Sequence, residues 1–161
     1  MNQNSMSADS TAETTGAPGF TIVRDFAAPR ERVWDAWTSP DVMAQWMHPE
    51  TLVTPRESVS ADLRVGGLYT YTMQIVGTDM EFPTAGRYLH IEPPRRLDFT
   101  WGSPGDVDDA PRVSIEFDEI DENSTRMTFA LTGIPNDSGS DASAYDGWSS
   151  AFNVLEGELT S

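Results

Sequence analysis

Between residues 68 and 134 four stretches alternate apolar and polar side chains one by one, and a single long amphipathic stripe remains to cover the face they create. LYTYTMQIV sets Tyr69, Tyr71, Met73 and Ile75 against Leu68, Thr70 and Thr72. RLDFTW sets Leu97, Phe99 and Trp101 against Asp98 and Thr100, and RVSIEFDEI sets Val113, Ile115 and Phe117 against Ser114, Glu116 and Asp118. RMTFALTGI places Met127, Phe129 and Leu131 together. Successive side chains of a strand point to opposite faces, so each stretch predicts a strand with one buried and one wet face, as in an antiparallel meander. The buried face needs a lid. AYDGWSSAFNVLEGEL carries Trp148, Phe152, Leu155 and Leu159 at spacings of four, three and four, which is one stripe of an amphipathic helix.

The first part of the chain supplies the remaining elements. FTIVRDF puts Phe20, Ile22 and Phe26 on one side of a strand that ends at Ala28-Pro29, with Pro29 suited to the first residue of a helix. In PRERVWDAW, Val33, Trp34 and Trp37 share a helical face, predicted to pack the short helices on the sheet. Ser39-Pro40-Asp41 interrupts that helix, and Pro40 opens a second, PDVMAQW, ending before Pro49. TLVTPRESVSADLRV alternates poorly and runs to a turn at Gly66-Gly67, Gly77-Thr78-Asp79 makes another, and AGRYLHIEPP reads as a strand. GSPGDVDDAP is an acidic loop, and residues 135–143, PNDSGSDAS, read as a flexible one. The expected order is strand, two short helices, about six strands and a C-terminal helix: an α+β domain over 19–161, without internal repeats. Residues 1–18 are small, polar and acidic and are expected to be a disordered tail.

Composition removes several chemistries. There is no cysteine and no lysine, which excludes disulfides, thiolate chemistry, Schiff bases and Cys-based metal sites. With 10 basic residues, 26 acids and a formal charge of −16, the chain would be repelled by phosphate backbones and anionic membranes, so neither nucleic acid nor membrane is an expected partner. The composition fits a GC-rich genome or a salt-adapted one and does not separate them. The N-terminal residues lack a basic start and an apolar run, and no stretch approaches the length of a membrane span, so a cytoplasmic protein is expected.

VWDAWTSPDVMAQWMHP, DLRVGGLYTYTM, GRYLHIEPPRRLDFTW and GWSSAFNVL, in this order, resemble the SRPBCC (START-like) superfamily. Within it they are similar to the branch related to the C-terminal domain of the heat-shock-protein-90 ATPase activator. The resemblance spans about residues 20–160. It implies a helix-grip fold: a curved antiparallel sheet of about six to seven strands around a long C-terminal helix, with two short helices after strand 1 and an apolar cavity between sheet and helix. Two positions depart from the branch. Met47-His48-Pro49 stands where a second aromatic, a small residue and Pro are usual, and Ala144-Tyr145-Asp146 stands where many relatives carry a histidine.

On that architecture the cavity lining is Tyr69, Tyr71, Met73, Phe99, Trp101, Phe129, Trp148 and Phe152, with Trp46 at the opening. These residues suit an apolar or aromatic ligand, with tyrosine hydroxyls and indole N–H groups as sparse polar handles; equally, they are what a plain core would contain. His48, Arg64 and His90 are candidate polar contacts, Arg64 and Arg87 as grips for an anionic group. His90 and Glu92, two residues apart on a strand, share a face and invite a metal or acid–base reading, against the simpler one of a surface pair. The function expected is binding of a small hydrophobic molecule, as carrier or sensor, without catalytic residues, metal or cofactor. The alternatives are a cyclase or hydrolase using the same cavity through Tyr71 or His90, and a co-chaperone-like interaction module. Activator proteins carry an additional N-terminal domain that an 18-residue tail cannot replace, so a chaperone partner is not expected. A monomer or weak homodimer is.

Overall fold

A computed structural model describes residues 19–133 and 140–160. The tail 1–18 and most of the predicted 135–143 loop lie outside the described residues, although the last helix begins at Ser140, inside that stretch. In chain order the elements are β1 (Gly19–Phe26), α1 (Arg30–Thr38), α2 (Pro40–Trp46), β2 (Leu52–Val53), a 3-10 turn (Arg56–Ser58), β3 (Ser60–Ala61), β4 (Leu68–Ile75), β5 (Glu81–Glu92), β6 (Arg96–Thr100), β7 (Arg112–Asp121), β8 (Ser124–Thr132) and α3 (Ser140–Thr160). The strands form one curved antiparallel sheet in the order β1-β8-β7-β6-β5-β4-β2, with β3 also on β4. That makes eight strands among the described residues, where six to seven are predicted. The surplus comes from β2 and β3, two residues each, too short for alternation to reveal.

The helices form where the sequence places them. Pro29 sits one position earlier than predicted: it is extended (ψ 152°) and caps α1, its carbonyl accepting from the N–H groups of Arg32 and Val33 at 3.0 and 3.2 Å. Ser39 joins the helices by donating its N–H to Asp35 O (2.8 Å) and accepting from Met43 N–H (2.8 Å), with Pro40 at the first position of α2.

Register builds the core. Ile22 pairs with Phe129, Phe129 with Ile115, and Ile115 with Leu97, one row across four strands. A second row runs Phe20, Leu131, Val113, Phe99 and Tyr88. Directly opposite residues share a face, so both rows point inward, where α1 and α3 cover them. Trp34 and Trp37 pack α1 on the sheet as predicted, Trp34 against Phe117 (ring centroids 5.8 Å) and Trp37 against Phe99 and Phe129 (6.0 and 6.1 Å). All four stripe residues of α3 are buried, each such side chain contributing about 1.5–3 kcal/mol. Arg24 points the same way from β1 and reaches α3, donating to Asn153 Oδ1 at 3.0 Å and Glu156 Oε1 at 2.7 Å.

Two expectations of simple alternation fail. The outer face is not wet throughout, because Asp98 and Thr100 are buried. Asp98 is held by both nitrogens of Arg96 (3.1 and 2.9 Å) and by Ser114 Oγ (2.9 Å), and Thr100 Oγ1 accepts from Arg87 N–H (2.8 Å). In β5 a bulge between Tyr88 and His90 shifts the register against β6. The inserted residue sends Tyr88 and Ile91 inward and turns His90 and Glu92 to the outer face, opposite Asp98 and Arg96. Among the described residues no helix is long and apolar enough to cross a membrane.

Candidate functional site

The aromatic residues of the predicted lining come together ring to ring, and Met73 packs against the same core from a partly buried position. Trp37 is the hub, with centroid distances of 4.6 Å to Trp46, 5.8 Å to Trp148 and 6.1 Å to Phe152. Phe129 lies 4.8 Å from Trp148 and 5.2 Å from Phe152, and Trp101 lies 5.4 Å from Trp148. Trp37 stands in sequence as a packing residue; its helical spacing gives no sign that it is the centre of this cluster. Trp46 is fully buried and donates Nε1–H to Ala36 O at 2.7 Å, so it lies inside the cluster instead of at a rim.

The tyrosines occupy the same inner face on β4. Gly86, opposite Tyr69 in register, has no room for a side chain: a Cβ there would stand 1.8 Å from Thr100 O and 2.5 Å from the Tyr69 ring. That absence lets Tyr69 lie across β5 and donate to Thr100 O at 2.6 Å. Trp101 Nε1–H donates to Tyr71 Oη at 3.0 Å. Burial pushes the Tyr69 hydroxyl well above its ordinary range, with the neighbouring Tyr71 and Tyr88 adding to it. Burial also raises Tyr71 to about 12, against the opposing pull of hydrogen bonds with Trp101 and Thr84. Both are therefore neutral hydroxyls in the physiological range.

Two donors in the cluster differ from these. Trp37 Nε1 and Trp148 Nε1 are buried and have no hydrogen-bond partner among the described residues. An unpaired buried donor costs about 1–3 kcal/mol. Two such donors in one cluster can each receive an acceptor, from a water or a ligand atom.

The cover of the inner face is incomplete toward the β4–β5 hairpin. Met73 and Ile75 are half-buried, Trp101 likewise, and Phe82, paired with Met73, is 40% exposed. Thr84, paired with Tyr71, continues this face and is buried. Phe82 and Thr84 lie in EFPT, where alternation is weak, and the sequence reading starts its strand after them.

The candidate polar contacts lie elsewhere. His90 is exposed beside Glu92 (Nε2 to Oε1, 3.1 Å) on the outer face, the surface pair of the simpler reading. Arg64 is exposed and paired with Asp62 (2.8 Å). Arg87 ties the acidic loop to the Gly66 turn, donating to Asp108 Oδ1 and Gly66 O at 2.7 Å each. His48 is half-buried, its Nδ1 2.9 Å from Pro49 O, in a loop fastened to α3 by Glu50 N–H donating to Ser150 Oγ (2.8 Å). Among the described residues no three His, Asp or Glu side chains are grouped to hold a metal. An open groove of about 400 Å³ lies on the outer face between Leu68, Thr70, Ala85 and loop residues 104–109, lined by none of the predicted cavity residues.

A curved antiparallel sheet closed over a long C-terminal helix, with an aromatic cluster between them, defines the helix-grip class within the SRPBCC superfamily. The family model described as Activator of Hsp90 ATPase homolog 1-like protein matches residues 27–160, and the chain belongs to that family. Solved structures agree. A protein from Chromobacterium violaceum is 25% identical with a TM-score of 0.76, over 88% of this chain and 97% of that one. One from Mycobacterium smegmatis is 26% identical with a TM-score of 0.68, over 88% and 90%. An HSP90 activator from Plasmodium falciparum, at 22% identity and TM-score 0.69 over 90% and 97%, shares the fold. No curated protein matches the sequence.

Proposed function

We propose that this chain binds a small apolar molecule between the sheet and α3 and does not transform it. The observation that carries the reading is the uneven cover of the inner face. Its apolar rows are sealed beneath α1 and α3 but half-open at Met73, Ile75 and Phe82, beside half-buried Trp101. An apolar surface continuous with a buried aromatic cluster is the form of a small-molecule entrance. The family's fold commonly serves hydrophobic ligands, which supports the same reading.

The catalytic alternative has less support. Tyr71 is raised to about 12 by burial, so it is a weak acid at neutral pH and offers no base, and His90 faces away from the cluster. The ligand is the partner proposed. Nucleic acid is disfavoured by the charge of −16, and the protein acts in the cytoplasm as a monomer or weak homodimer, with no cofactor or chaperone required.

Thermal shift and NMR titration with a panel of fatty acids, flavonoids and other lipids test this reading. Binding moves the Trp101, Tyr71 and Trp148 resonances and raises the melting temperature. A panel that moves none of them overturns it.

A further inference from the structure

Resting on that binding reading, we infer that the site selects neutral apolar molecules carrying a carbonyl oxygen, held by the indole N–H groups of Trp37 and Trp148. Three other polar handles of the aromatic cluster are already engaged. Tyr69 donates to Thr100 O, Trp46 to Ala36 O, and Trp101 to Tyr71 Oη. Only Trp37 Nε1 and Trp148 Nε1 are buried in the cluster with no partner among the described residues. Trp37 is 2% and Trp148 5% exposed, so bulk water does not reach them freely.

The chemistry of the missing partner follows from what indole offers. Indole Nε1–H donates and does not accept, so the complementary group is an acceptor. A carbonyl oxygen has two lone pairs and can take both donors. The two rings stack at 5.8 Å with an interplanar angle of 26°, so both donors belong to one ring pair. A carboxylate is disfavoured, because among the described residues no basic side chain is fully buried, Arg24 and Arg30 being paired with Glu156 and Glu119, and a buried anion needs a cation beside it. The chain's charge of −16 acts in the same direction. Trp101 is half-buried and packs 5.4 Å from Trp148, which contacts Trp37 in turn, so the two donors belong to the ring cluster that reaches the half-open end.

The test uses the full chain, 15N-labelled, with two probes of one shape: 2-acetylnaphthalene, which carries the carbonyl, and 2-ethylnaphthalene, which lacks it. The ketone is expected to bind about 10-fold more tightly, one hydrogen bond's worth of affinity. It moves the Nε1–H signals of Trp37 and Trp148 downfield and leaves that of Trp46, already bonded, in place. Trp148→Phe is expected to bring the two probes within about 3-fold of each other, read as the ratio of their affinities in that one variant. The signals of the native chain decide the matter even if that variant folds poorly. Equal binding of both probes, or unmoved Trp37 and Trp148 signals on ketone binding, overturns the inference and leaves the binding reading standing. If neither probe binds and the wider ligand panel is also silent, both fall.

Discussion

The two ends of the inner face carry the same alternating pattern and receive different cover. Beneath α1 and α3, Phe117, Met127 and Phe129 are no more than 1% exposed, with Trp37 and Phe152 packed on Phe129 and Trp34 on Phe117. At the β4–β5 hairpin, Phe82 is 40% exposed and Met80 56%, although Met73 and Phe82 pair as neatly as Ile115 and Phe129. Alternation decides which side chains point inward; the reach of the covering helices decides which of them are sealed. Stability should therefore concentrate at the helical end, and ligand access at the hairpin.

The sharpest test of that division is a pair of truncations. Phe129→Ala removes a fully buried ring from the centre of the cluster and should cost about 3–5 kcal/mol in urea unfolding. Phe82→Ala should cost under about 1 kcal/mol, since much of its ring is already in water, while weakening binding of an apolar probe. Similar losses of stability from the two would break the comparison. Gly86→Ala comes next. Its new methyl would meet Thr100 O and the Tyr69 ring, and the backbone oxygen cannot swing aside, so a loss of about 1–3 kcal/mol is expected. Loss of the Tyr69 to Thr100 hydrogen bond should accompany it, visible in the Tyr69 ring resonances.

These residues also show what the sequence discloses and what it leaves out. Trp148, Phe152, Leu155 and Leu159 were legible as the lid because helical burial follows spacing alone. Tyr69, Tyr71, Phe99 and Phe129 were legible as inward-facing because strand alternation does too. His90 was not, since a single inserted residue in β5 reverses the face of everything after it, and no residue in GRYLHIEPP marks that insertion. Asp98 reads as solvent-facing by period, yet Arg96 and Ser114 satisfy it where it is buried. Trp46 and Trp37 are both aromatic on short helices, but whether each indole finds an acceptor depends on the carbonyl of Ala36 in three dimensions. Periodicity reports direction; hydrogen-bond partners come from tertiary contact and leave no periodic trace.

A smaller effect separates the ends through pH. The folded chain raises Tyr71 from 10.0 to about 12 by burial, while the unfolded chain keeps the ordinary value. Between those values the folded state holds a proton that the unfolded state has released. The stabilisation is complete below pH 10 and is lost as pH rises toward about 12. Tyr71→Phe should therefore flatten the alkaline fall in the urea midpoint over that window. At neutral pH it costs about 1 kcal/mol, because Trp101 Nε1–H loses its acceptor. An alkaline profile unchanged by the substitution would mean that Tyr71 is as wet as the hairpin beyond it.

The least effect belongs to the outer face, and its smallness is informative. His90→Ala removes an imidazole that is exposed and, among the described residues, paired with the exposed carboxylate of Glu92, separated from the aromatic cluster by the thickness of the sheet. Exposed pairs of this kind add little to folding, so the urea midpoint should stay within error. Probe affinity should stay unchanged too, because the bulge has already turned the ring away from the binding face. If His90→Ala instead altered probe binding as Phe82→Ala does, the register of β5 beyond Tyr88 would have to run without the bulge. His90 would then share the inner face with Tyr88, and an imidazole would stand among the aromatic rings.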